Sequence, residues 1–419
     1  MPARRAPRHE AVPGGARLMG PLAGVRVIEL AQVMAGPVCG LMLADLGADV
    51  VKIEKTPDGD DARRYDRPSV NGESAAFMML NRGKRGIALD LKSGAGREAL
   101  VRMARRSDVL LENFRTGALA KLGLGQAELR AVNPGLVYCS ITGWGATGPY
   151  AARGGFDLVA QGASGLMSYT GEPGREPAKV GSPVSDINAG ILAALGIVSA
   201  YVHRLRTGEG QYVDTSLFEA GLQQSYWHAA VYFATGESPG AAGSAHLLAA
   251  PYQAFRTRDG WIAIGGANQA NWERIARVLG APEWLEDARF RSNTDRMQHR
   301  AALVEAINRR LAARTAAEWL AALDAEGVPC GPINTLGEAL ADPQARARGM
   351  VLELEHPRAG RTRAVGPPIK FSAAAPRNLR PAPLLGEHTR EVLAEYGFAP
   401  AEIEALLASG AALAAGPRA

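Results

Sequence analysis

Cysteine and histidine are scarce in this chain, which has three cysteines and seven histidines among 419 residues. The cysteines, Cys39, Cys139 and Cys330, lie far apart, and no His-x-x-x-His pair occurs. Such spacings fit neither a zinc site nor a disulfide framework. We therefore expect buried, reduced thiols, no metal and a cytoplasmic location.

Long apolar runs are also missing. The best candidate, Ile191 to Val202, is shorter than the roughly 18 residues of a membrane span and contains Gly196. Hydrophobic residues make up 47% of the chain and charged residues 21%, which is typical of a packed globular protein. The composition predicts a soluble protein without a membrane partner, and the length favours two domains.

Much of the positive charge lies at the start of the chain. The net charge is +5, and residues 1–18 hold four arginines against one acidic residue. This stretch is rich in Pro, Ala and Gly without hydrophobic periodicity, so we predict a disordered tail over residues 1–19; a mitochondrial transit peptide and a start at Met19 are alternatives. Elsewhere the basic residues are dispersed, and no nucleic acid partner is expected.

Strand and helix patterns alternate from residue 25 onward. The predicted strands are Val25–Leu30, Asp49–Glu54, Gly86–Leu89, Val109–Glu112, Gly135–Ile141 and Tyr212–Asp214; the predicted helices are Val38–Leu46, Gly96–Arg105 and 187–205. Such βαβ repeats predict a parallel, doubly wound α/β sheet of the Rossmann-like class. The loop after the first strand has one glycine, Gly36, where a dinucleotide fingerprint needs three, so a nicotinamide dehydrogenase is disfavoured.

The second half of the chain follows a different pattern. After a Gly/Ala/Ser/Pro linker at 235–245, residues 252–264 have the pattern of a hairpin around Asp259-Gly260. The next predicted elements are helices at 272–279 and 300–323, a loop-rich and proline-rich segment at 331–383, and an amphipathic helix at 400–408. An α+β domain in this region is expected.

Asp186 stands directly before the long apolar helix pattern at 187–205. Asp in this position is commonly a helix cap, because its carboxylate accepts from the first amide donors and faces the positive end of the dipole. The same placement would keep the carboxylate ionised and oriented, as a nucleophile requires. Position alone favours the cap, and the two interpretations are compatible.

Several segments together resemble the family III coenzyme A transferases, and especially the branch that uses succinyl-CoA and hydroxymethylglutarate. The resemblance covers about residues 21–407. Its segments are Pro21–Leu30, Ala35–Pro37, Leu46–Glu54, Asn81–Arg85, Glu112–Phe114, Thr142–Gly145, Thr207–Gln211, Gly331–Asn334 and Pro383–His388. Each segment alone is modest evidence, whereas their order along the chain is highly specific.

The resemblance implies a reaction and a set of site residues. It implies that Asp186 is the nucleophile, that Asp157 faces the catalytic centre, and that Gly265, Gly266 and Gln269 belong to a glycine-rich loop that shields the intermediates. The implied CoA contacts are Gln32, Val33, Met34, Ala35, Lys55, Leu89, Asn113, Phe114 and Lys121. Coenzyme A enters as a thioester substrate, and no tightly bound cofactor is expected.

Positive side chains are expected near the phosphates of coenzyme A. The candidates are Lys55, Arg82, Lys84, Arg85, Arg115 and Lys121. Lys84 and Arg85 are equally compatible with solvated surface charges. From sequence alone, the loop at 265–269 is equally well interpreted as a tight turn after a strand.

Two other functions stay open at this stage. Related 2-methylacyl-CoA racemases carry a catalytic His where this chain has Phe156, which cannot transfer a proton. A non-catalytic acyl-CoA-binding protein is disfavoured because Asp186 and the glycine-rich loop are both present. A CoA-transferase acting on an acyl-CoA and a free carboxylic acid is the leading hypothesis, with succinyl-CoA and a dicarboxylate as the favoured pair.

The resemblance also implies how the chain is organised. It implies a large CoA-binding domain made from both ends of the chain, 20–224 and part of 331–419, with a small domain inserted at 225–330. Members of the family form interlocked homodimers in which two chains thread through each other. The proline-bearing connections at 235–251 and 331–383 suit such threading.

Overall fold

The computed structural model describes residues 20–373 and 379–415. The expected tail at residues 1–19 lies outside the described residues. The chain forms two compact units: the first includes residues up to 164 together with 181–224 and 344–419, and the second comprises 165–180 and 225–343. The second unit is larger than the small domain that we expected at 225–330.

The described residues contain fourteen strands and seventeen α-helices. The strands are β1 Arg26–Glu29, β2 Asp49–Glu54, β3 Ser69–Val70, β4 Glu73–Ser74, β5 Arg85–Leu89, β6 Val109–Glu112, β7 Val137–Thr142, β8 Tyr212–Ser216, β9 Tyr252–Arg256, β10 Trp261–Gly265, β11 Cys330–Pro332, β12 Val351–His356, β13 Gly360–Val365 and β14 Ala412–Leu413. The helices are α1 Ala35–Asp45, α2 Ala75–Asn81, α3 Gly94–Ala104, α4 Gln126–Val132, α5 Asp157–Ala163, α6 Leu166–Tyr169, α7 Val184–Thr207, α8 Leu217–Gln223, α9 Tyr226–Thr235, α10 Gln269–Val278, α11 Asn293–Gln298, α12 Arg300–Leu311, α13 Ala316–Ala325, α14 Leu336–Ala341, α15 Pro343–Ala347, α16 Thr389–Glu395 and α17 Pro400–Ala408.

A seven-stranded sheet forms the centre of the first unit. Its strand order is β14-β5-β2-β1-β6-β7-β8, and all neighbours are parallel except β14, which pairs antiparallel with β5. The α/β class predicted from the βαβ repeats is therefore confirmed, and the predicted parallel sheet is parallel except for the edge strand β14. Strand order reverses between β1 and β6, so the connections that follow these two strands run in opposite directions and leave a crevice at the carboxyl ends, which is where such sheets bind ligands.

Helices cover both faces of this sheet because alternate residues of each strand point to opposite sides. Ile28, Val51, Ile87 and Leu110 pack into one core with residues of α3, α4, α16 and α17. Their neighbours Val27, Val50, Val109 and others pack into a second core with α1, α7 and α8. Burial on both faces explains why these strands are almost continuously apolar.

Helix α7 differs from the expectation about membrane-length segments. Its 24 residues include an 18-residue window of mean hydropathy 1.4, which meets the length and composition of a membrane span. The sequence pattern did not reveal the full length of this helix, because the strongly apolar run at 191–202 is short. Alanines and single polar residues extend the helix on both sides of that run. One face of α7, including Ala189, Ala193, Ile197 and Ala200, packs in the core of the first unit.

Four charged side chains, those of Glu29, Lys52, Asp60 and Lys84, are buried together near the carboxyl end of β1. Lys52 Nζ lies 3.2 Å from Glu29 Oε1 and 2.9 Å from Asp60 Oδ2, and it donates to the Ala31 carbonyl at 2.7 Å. Lys84 Nζ lies 2.8 Å from the second oxygen of Glu29, and all four side chains are fully buried. Burial lowers the pKa of Lys84 to about 8 despite the opposing charge of Glu29. Pairing makes these buried charges tolerable, and each would be costly without its partners.

The second unit contains the predicted hairpin. Strands β9 and β10 pair antiparallel around residues 257–260, and β11 adds to the other edge of β10. This pairing of β11 explains why the second unit extends beyond residue 330. A core of aromatic and aliphatic side chains, including Trp272, Trp284, Phe290 and Ile307, packs against this sheet.

Two sequence predictions in the second half of the chain were wrong in detail. The single helix predicted at 300–323 is two helices, α12 and α13, because Thr315 begins α13 as the N-cap of a capping box with Glu318. The segment predicted to be loop-rich at 331–383 also contains α14, α15 and the β12–β13 hairpin, which the prediction did not include. Short elements of five or six residues give little periodicity, which is why the sequence pattern did not show them.

Replacing Lys52 by Met should destabilise the first unit strongly, because Glu29 and Asp60 would remain buried without their shared cation. We expect a loss of about 3–5 kcal/mol in the free energy of unfolding, measured by urea denaturation followed by circular dichroism. Lys55→Met is the matched control: its pair with Asp61 is about half exposed, so the loss should stay below about 1 kcal/mol. Equal effects of the two substitutions would contradict the assigned role of the buried cluster.

Candidate active site

The loops after β1 and β6 meet at the crevice where the strand order reverses. The Asn113 carboxamide, directly after β6, accepts from the Gln32 amide at 2.8 Å and donates to the Gln32 carbonyl at 2.8 Å. These two hydrogen bonds satisfy the backbone of Gln32 and fix one loop against the other. This pair of hydrogen bonds explains the Asn at position 113, because its carboxamide offers both the acceptor and the donor that the Gln32 backbone needs.

Val33 adopts a backbone conformation that is unusual for its residue type. Its φ is +66°, in the left-handed region that β-branched residues rarely occupy. The Val33 amide donates to the Asp60 carboxylate at 3.0 and 3.2 Å, and Asp60 is itself paired with the buried Lys52. The buried charged cluster therefore holds the first loop in a conformation that it would not adopt alone.

Helix α1 begins at this loop and presents its amino end to the crevice. Its N-cap residue, Met34, provides no capping side chain. Among the described residues, no acceptor is hydrogen-bonded to the amides of Ala35 and Gly36. Uncapped amides at a helix start attract anions, including phosphate and carboxylate groups.

Two glycines bring a second pair of loops together at the same place. A Cβ on Gly143, which follows β7, would lie 2.7 Å from the Cα of Gly155, and a Cβ on Gly155 would lie 2.5 Å from the Cα of Gly143. Any larger side chain at either position would force the loops apart. This close approach sets the position of Phe156 and of Asp157, the first residue of α5.

Asp157, and not Asp186, caps the long helix α7. One oxygen of the Asp157 carboxylate accepts from the Ser185 amide at 2.9 Å and from the Asp186 amide at 3.4 Å. Its other oxygen accepts from the Gln161 carboxamide at 2.7 Å. Asp186 is the third residue of α7, and the helix has no capping bond from its own N-cap residue, Pro183. The capping interpretation of Asp186 is therefore wrong, because a carboxylate 29 residues away already occupies those donors.

The Asp186 carboxylate has no hydrogen-bond donor among the described residues, although it is largely buried. Burial, followed by the nearby charge of Asp157, raises the pKa of Asp186 to about 7. The expectation that the helix end keeps this group ionised is thus corrected, since Asp157 takes the favourable interaction with the helix amides. The result is a carboxylate whose lone pairs are unused, which suits a nucleophile.

These loops and side chains enclose one cavity of about 290 Å³. It is lined by Gln32, Val33, Met34, Ala35, Asn113, Phe114, Arg115, Ile141, Thr142, Gly143, Gly154, Gly155, Phe156, Asp186 and Leu217. Asp186 is the only carboxylate among these lining residues, and none of them is His, Lys, Cys or Tyr. Among the described residues, no group of three or more His, Cys, Asp or Glu side chains is arranged to hold a metal ion.

The structure thus brings most of the implied CoA contacts together with the implied nucleophile. Lys55 and Lys121 do not line the cavity: Lys55 is exposed and paired with Asp61 at 2.6 Å, and Lys121 is exposed on a short 3₁₀ helix. Leu89 is fully buried in the core at the end of β5. A ligand contact through the Leu89 side chain is therefore excluded, because the side chain is covered by neighbouring core residues.

The glycine-rich loop belongs to the second unit, and its groups are already engaged there. Gly265 donates its amide to the Pro329 carbonyl at 2.8 Å, and Gly266 donates to the Pro251 carbonyl at 2.7 Å. The Gln269 side chain accepts from Arg296 at 3.0 Å and donates to the Arg291 carbonyl at 3.1 Å. Gly265 and Gly266 therefore cannot donate to an oxyanion in this conformation, and a shielding role for the loop stays a prediction.

Three of the basic residues expected near phosphates are bound inside the first unit instead. Arg82 forms a two-pronged pair with Asp45 at 2.6 and 2.8 Å, Lys84 pairs with Glu29, and Arg85 pairs with Asp49 and two glutamates of α16. Lys84 is fully buried, so its side chain is neither available to a phosphate nor on the solvated surface. Arg115 lines the cavity and is exposed, so it is the cation best placed for an anionic ligand.

Sequence reasoning assigned no role to Asp60 or Glu112, although both hold loops that line the cavity. Glu112 ends β6, and its carboxyl accepts from the Phe114 amide at 2.7 Å and from the Ser140 hydroxyl. Burial raises the pKa of Glu112 to about 7. The available signal was an acidic residue at the end of an otherwise apolar strand, a position where a side chain usually serves the adjoining loop.

Known proteins match nearly the whole chain. The family described as "CoA-transferase family III" matches residues 22–389. The chain belongs to this family. The residues between Gln32 and Asp186 that line the cavity all fall within the matched region.

Individual relatives support the same assignment. A succinate–glutarate CoA-transferase from Agrobacterium fabrum is 41% identical over 381 residues, covering 90% of this chain and 95% of that protein. An acetyl-CoA:oxalate CoA-transferase from Acetobacter aceti is 38% identical over 383 residues, covering 91% and 97%. The crystal structure of a CAIB/BAIF family protein from Brucella suis matches with a TM-score of 0.80 at 42% identity, covering 90% of this chain and 99% of that chain.

As a family III CoA-transferase, the protein should show an acid limb in its pH–rate profile that reports the ionisation of Asp186. In Asp157→Asn, the amide oxygen can still accept from Ser185, but the negative charge beside Asp186 is gone. We expect the pKa of Asp186 to fall and the acid limb of kcat/KM to move from near pH 7 to lower pH by about one unit.

The measurement is a pH profile of CoA transfer at saturating free acid, with circular dichroism to confirm folding. Asp90→Asn, which removes a carboxylate outside the cavity, is the control and should leave the profile unchanged. An unshifted acid limb in Asp157→Asn would show that Asp157 does not set the ionisation of Asp186.

Proposed function

We propose that this chain moves coenzyme A from succinyl-CoA to a free dicarboxylic acid through covalent intermediates on Asp186. The observation that carries the proposal is that the one carboxylate lining the cavity has a raised pKa and receives no hydrogen bond from any described residue. The choice of acids is supported by the succinate–glutarate relative. The acetyl-CoA:oxalate relative makes an oxalate-type acid the alternative to test.

In the first half of the reaction, an oxygen of Asp186 attacks the thioester carbonyl. The new C–O bond gives an aspartyl–acyl anhydride, and the C–S electron pair leaves with the CoA thiolate. The thiolate then attacks the aspartyl carbonyl, which releases the donor acid and forms an aspartyl-CoA thioester. No net proton transfer is needed in either step.

The second half repeats these steps with the acceptor acid. Its carboxylate attacks the aspartyl thioester to give a new anhydride and the CoA thiolate. The thiolate then attacks the acyl carbon of the acceptor, and the new acyl-CoA departs with Asp186 regenerated. The sequence of steps is symmetric, so the overall equilibrium depends only on the two acids and their thioesters.

The anhydride is more activated than a thioester, so its formation is uphill and needs compensation. Binding of the nucleotide end of coenzyme A, remote from the reacting atoms, can supply free energy for this step. Holding carboxylate and thioester together adds an effective molarity of about 10⁵–10⁸ M. The fixed loops at Gln32–Ala35 and Asn113–Arg115, the uncapped start of α1 and the Arg115 guanidinium are the proposed binding groups for the CoA moiety.

A racemase reaction is not supported by the residues that line the cavity. Phe156 lines it and is 76% exposed, so this position faces the site but offers no proton carrier. Moving a proton at Cα needs an acid and a base on the two faces of the substrate, and only Asp186 is available. The covalent proposal needs only the nucleophile.

The decisive experiment is to trap the acyl-aspartyl intermediate. Incubation of the enzyme with succinyl-CoA and hydroxylamine should yield a hydroxamate at Asp186, identified by mass spectrometry of the peptide. Asp186→Asn should give no hydroxamate and should lower kcat by at least about a thousandfold, as expected for loss of a nucleophile. Asp61→Asn, which alters an exposed carboxylate, is the control.

Two results would refute the covalent proposal. One is transfer by Asp186→Asn at the wild-type rate. The other is incorporation of solvent deuterium at Cα without a hydroxamate, which would point to racemisation. Binding of acyl-CoA without either product would indicate a non-catalytic binding protein.

We further propose that the protein is an interlocked homodimer, as the family resemblance implies. In support, helix α7 leaves an apolar stripe exposed, with Ile191 41%, Leu195 63%, Val202 39% and Leu205 55% accessible. An exposed stripe of this kind normally marks a surface that another chain covers.

Light scattering should give twice the chain mass of 44.1 kDa. Two differently tagged preparations, mixed at 25 °C without denaturant, should not exchange subunits over days, because threaded chains separate only on unfolding. A monomer would refute the dimer, and rapid exchange would refute the interlocking.

A further inference from the structure

A second cavity lies wholly within the second unit, and none of the roles described above involves it. It has a volume of about 310 Å³, at the lower end of the size of small-molecule sites. Its lining residues are Tyr169, Trp227, His228, Gly240, Ala242, Gly243, Ser244, Ala245, His246, Leu247 and Tyr252. Small residues along the loop at 240–247 leave room for a ligand, and aromatic rings form the rest of the wall.

The aromatic rings are arranged in two stacked pairs. Tyr169 and His228 lie 3.8 Å apart between ring centroids with an interplanar angle of 15°, and His246 and Tyr252 lie 4.8 Å apart at 9°. Each pair covers one face of both its rings, so the polar edges of the rings are the groups left for a ligand. Stacking also restricts the rotamers, which lowers the entropy cost of binding.

The loop that carries His246 is fixed to the adjoining strand. The His246 amide donates to the Tyr252 carbonyl at 2.8 Å, and the Ala254 amide donates to the Ser244 hydroxyl at 3.1 Å. The cavity therefore has a defined wall in the absence of any ligand.

Three hydrogen-bonding groups of this cavity lack partners among the described residues. The Tyr169 hydroxyl oxygen is buried without a hydrogen bond. Nδ1 of His246 accepts from the Leu248 amide at 3.1 Å, which places the proton of the neutral ring on Nε2. No hydrogen bond engages either ring nitrogen of His228, whose pKa is lowered by burial and by the neighbouring His246. The cavity is thus rich in donors that no described residue uses.

We propose that this cavity binds a carboxylate of the free acid substrate, with the Tyr169 hydroxyl and the imidazoles of His228 and His246 as donors. A carboxylate has two acceptor oxygens and no donor, which complements such a set. The negative charge of the ligand would also favour the protonated form of His228, whose pKa is lowered by burial and by the neighbouring His246. This carboxylate site rests on the proposed CoA-transfer function, because we take the acid bound in the cavity to be the acid that accepts coenzyme A.

The position of the cavity within the second unit supports this assignment. Pro251, which directly precedes Tyr252, accepts the amide of Gly266 at 2.7 Å. The cavity wall and the glycine-rich loop are therefore joined through the start of β9. Arg175 and Lys179, two cations of the same unit, are exposed and do not line the cavity.

A cationic ligand is the competing possibility for a cavity walled by aromatic rings. Stacking has already covered one face of each ring in the two pairs. The acidic group beside the lining is Glu172, whose carboxylate lies close to Gly243 and is exposed to solvent. The covered ring faces and the free donors favour the carboxylate, whereas the Glu172 charge would favour a cation, so a cation is included as an outcome of the test.

The test is calorimetric titration of the full-length wild-type chain with glutarate, without coenzyme A, so that no turnover occurs. Tyr169→Phe removes one hydroxyl that has no partner in the part of the chain that the structure describes, and His228→Phe keeps a flat ring against Tyr169 without its nitrogens. Each substitution should weaken glutarate binding by about tenfold or more, as expected for a lost hydrogen bond to a charged group. The KM for the free acid should rise by a similar factor, while the KM for acyl-CoA stays unchanged.

Tyr232→Phe is the matched control, because Tyr232 lies on α9 with His228, is 48% exposed and does not line the cavity. Glutarate binding that is unaffected by Tyr169→Phe and His228→Phe, or lowered no more than by Tyr232→Phe, would overturn the proposal. Tetramethylammonium binding that depends on the same residues, with no glutarate binding, would assign the cavity to a cation instead. Hydroxylamine trapping at Asp186 separates the two proposals: trapping with unaltered glutarate binding removes only the carboxylate site, whereas failure to trap in the wild type removes the covalent function.

Discussion

The carboxylate that caps the amino end of helix α7 belongs to Asp157 and not to Asp186, and this choice determines the properties of the site. Asp157 takes the free amides of Ser185 and Asp186, so the helix start is satisfied. Asp186 is then left beside a second negative charge, partly buried and without a donor among residues 20–373 and 379–415, and its pKa rises to about 7. Were Asp186 itself the cap, its lone pairs would be occupied by the amides and its nucleophilicity reduced.

On the other side of the cavity, the loop conformation is fixed by buried charged side chains that do not line the cavity. Lys52 joins Glu29, Asp60 and the Ala31 carbonyl, and Asp60 in turn holds the amide of Val33 in its left-handed conformation. Buried ion pairs contribute little net stability, since desolvation offsets their attraction. Their value here is geometric: they fix a strained loop at the crevice, next to the start of α1, before a substrate arrives.

The first half of the fold could be predicted from the sequence because its periodicity is strong. Strands buried on both faces are apolar throughout, and intervening helices have their own spacing, so β1, β2 and β6 were predicted to within a residue or two. The short elements of the second half were not predictable in this way. The split between α12 and α13 had a local signal, the Thr-x-x-Glu capping box at Thr315, whereas the β12–β13 hairpin carried none that was recognised.

For the site, residue types and order along the chain determined the family and identified Asp186, Asn113 and the loop after β1 as candidates. The sequence could not determine how the charges are paired, because partners such as Asp157 with Ser185 or Arg85 with Glu391 are separated by 28 to 306 residues. Only the tertiary structure showed that Lys84 is buried, that the amides of Gly265 and Gly266 are already used, and that Leu89 belongs to the core. The physical reason is that local patterns encode which element forms, while burial and hydrogen-bond partners depend on which elements meet.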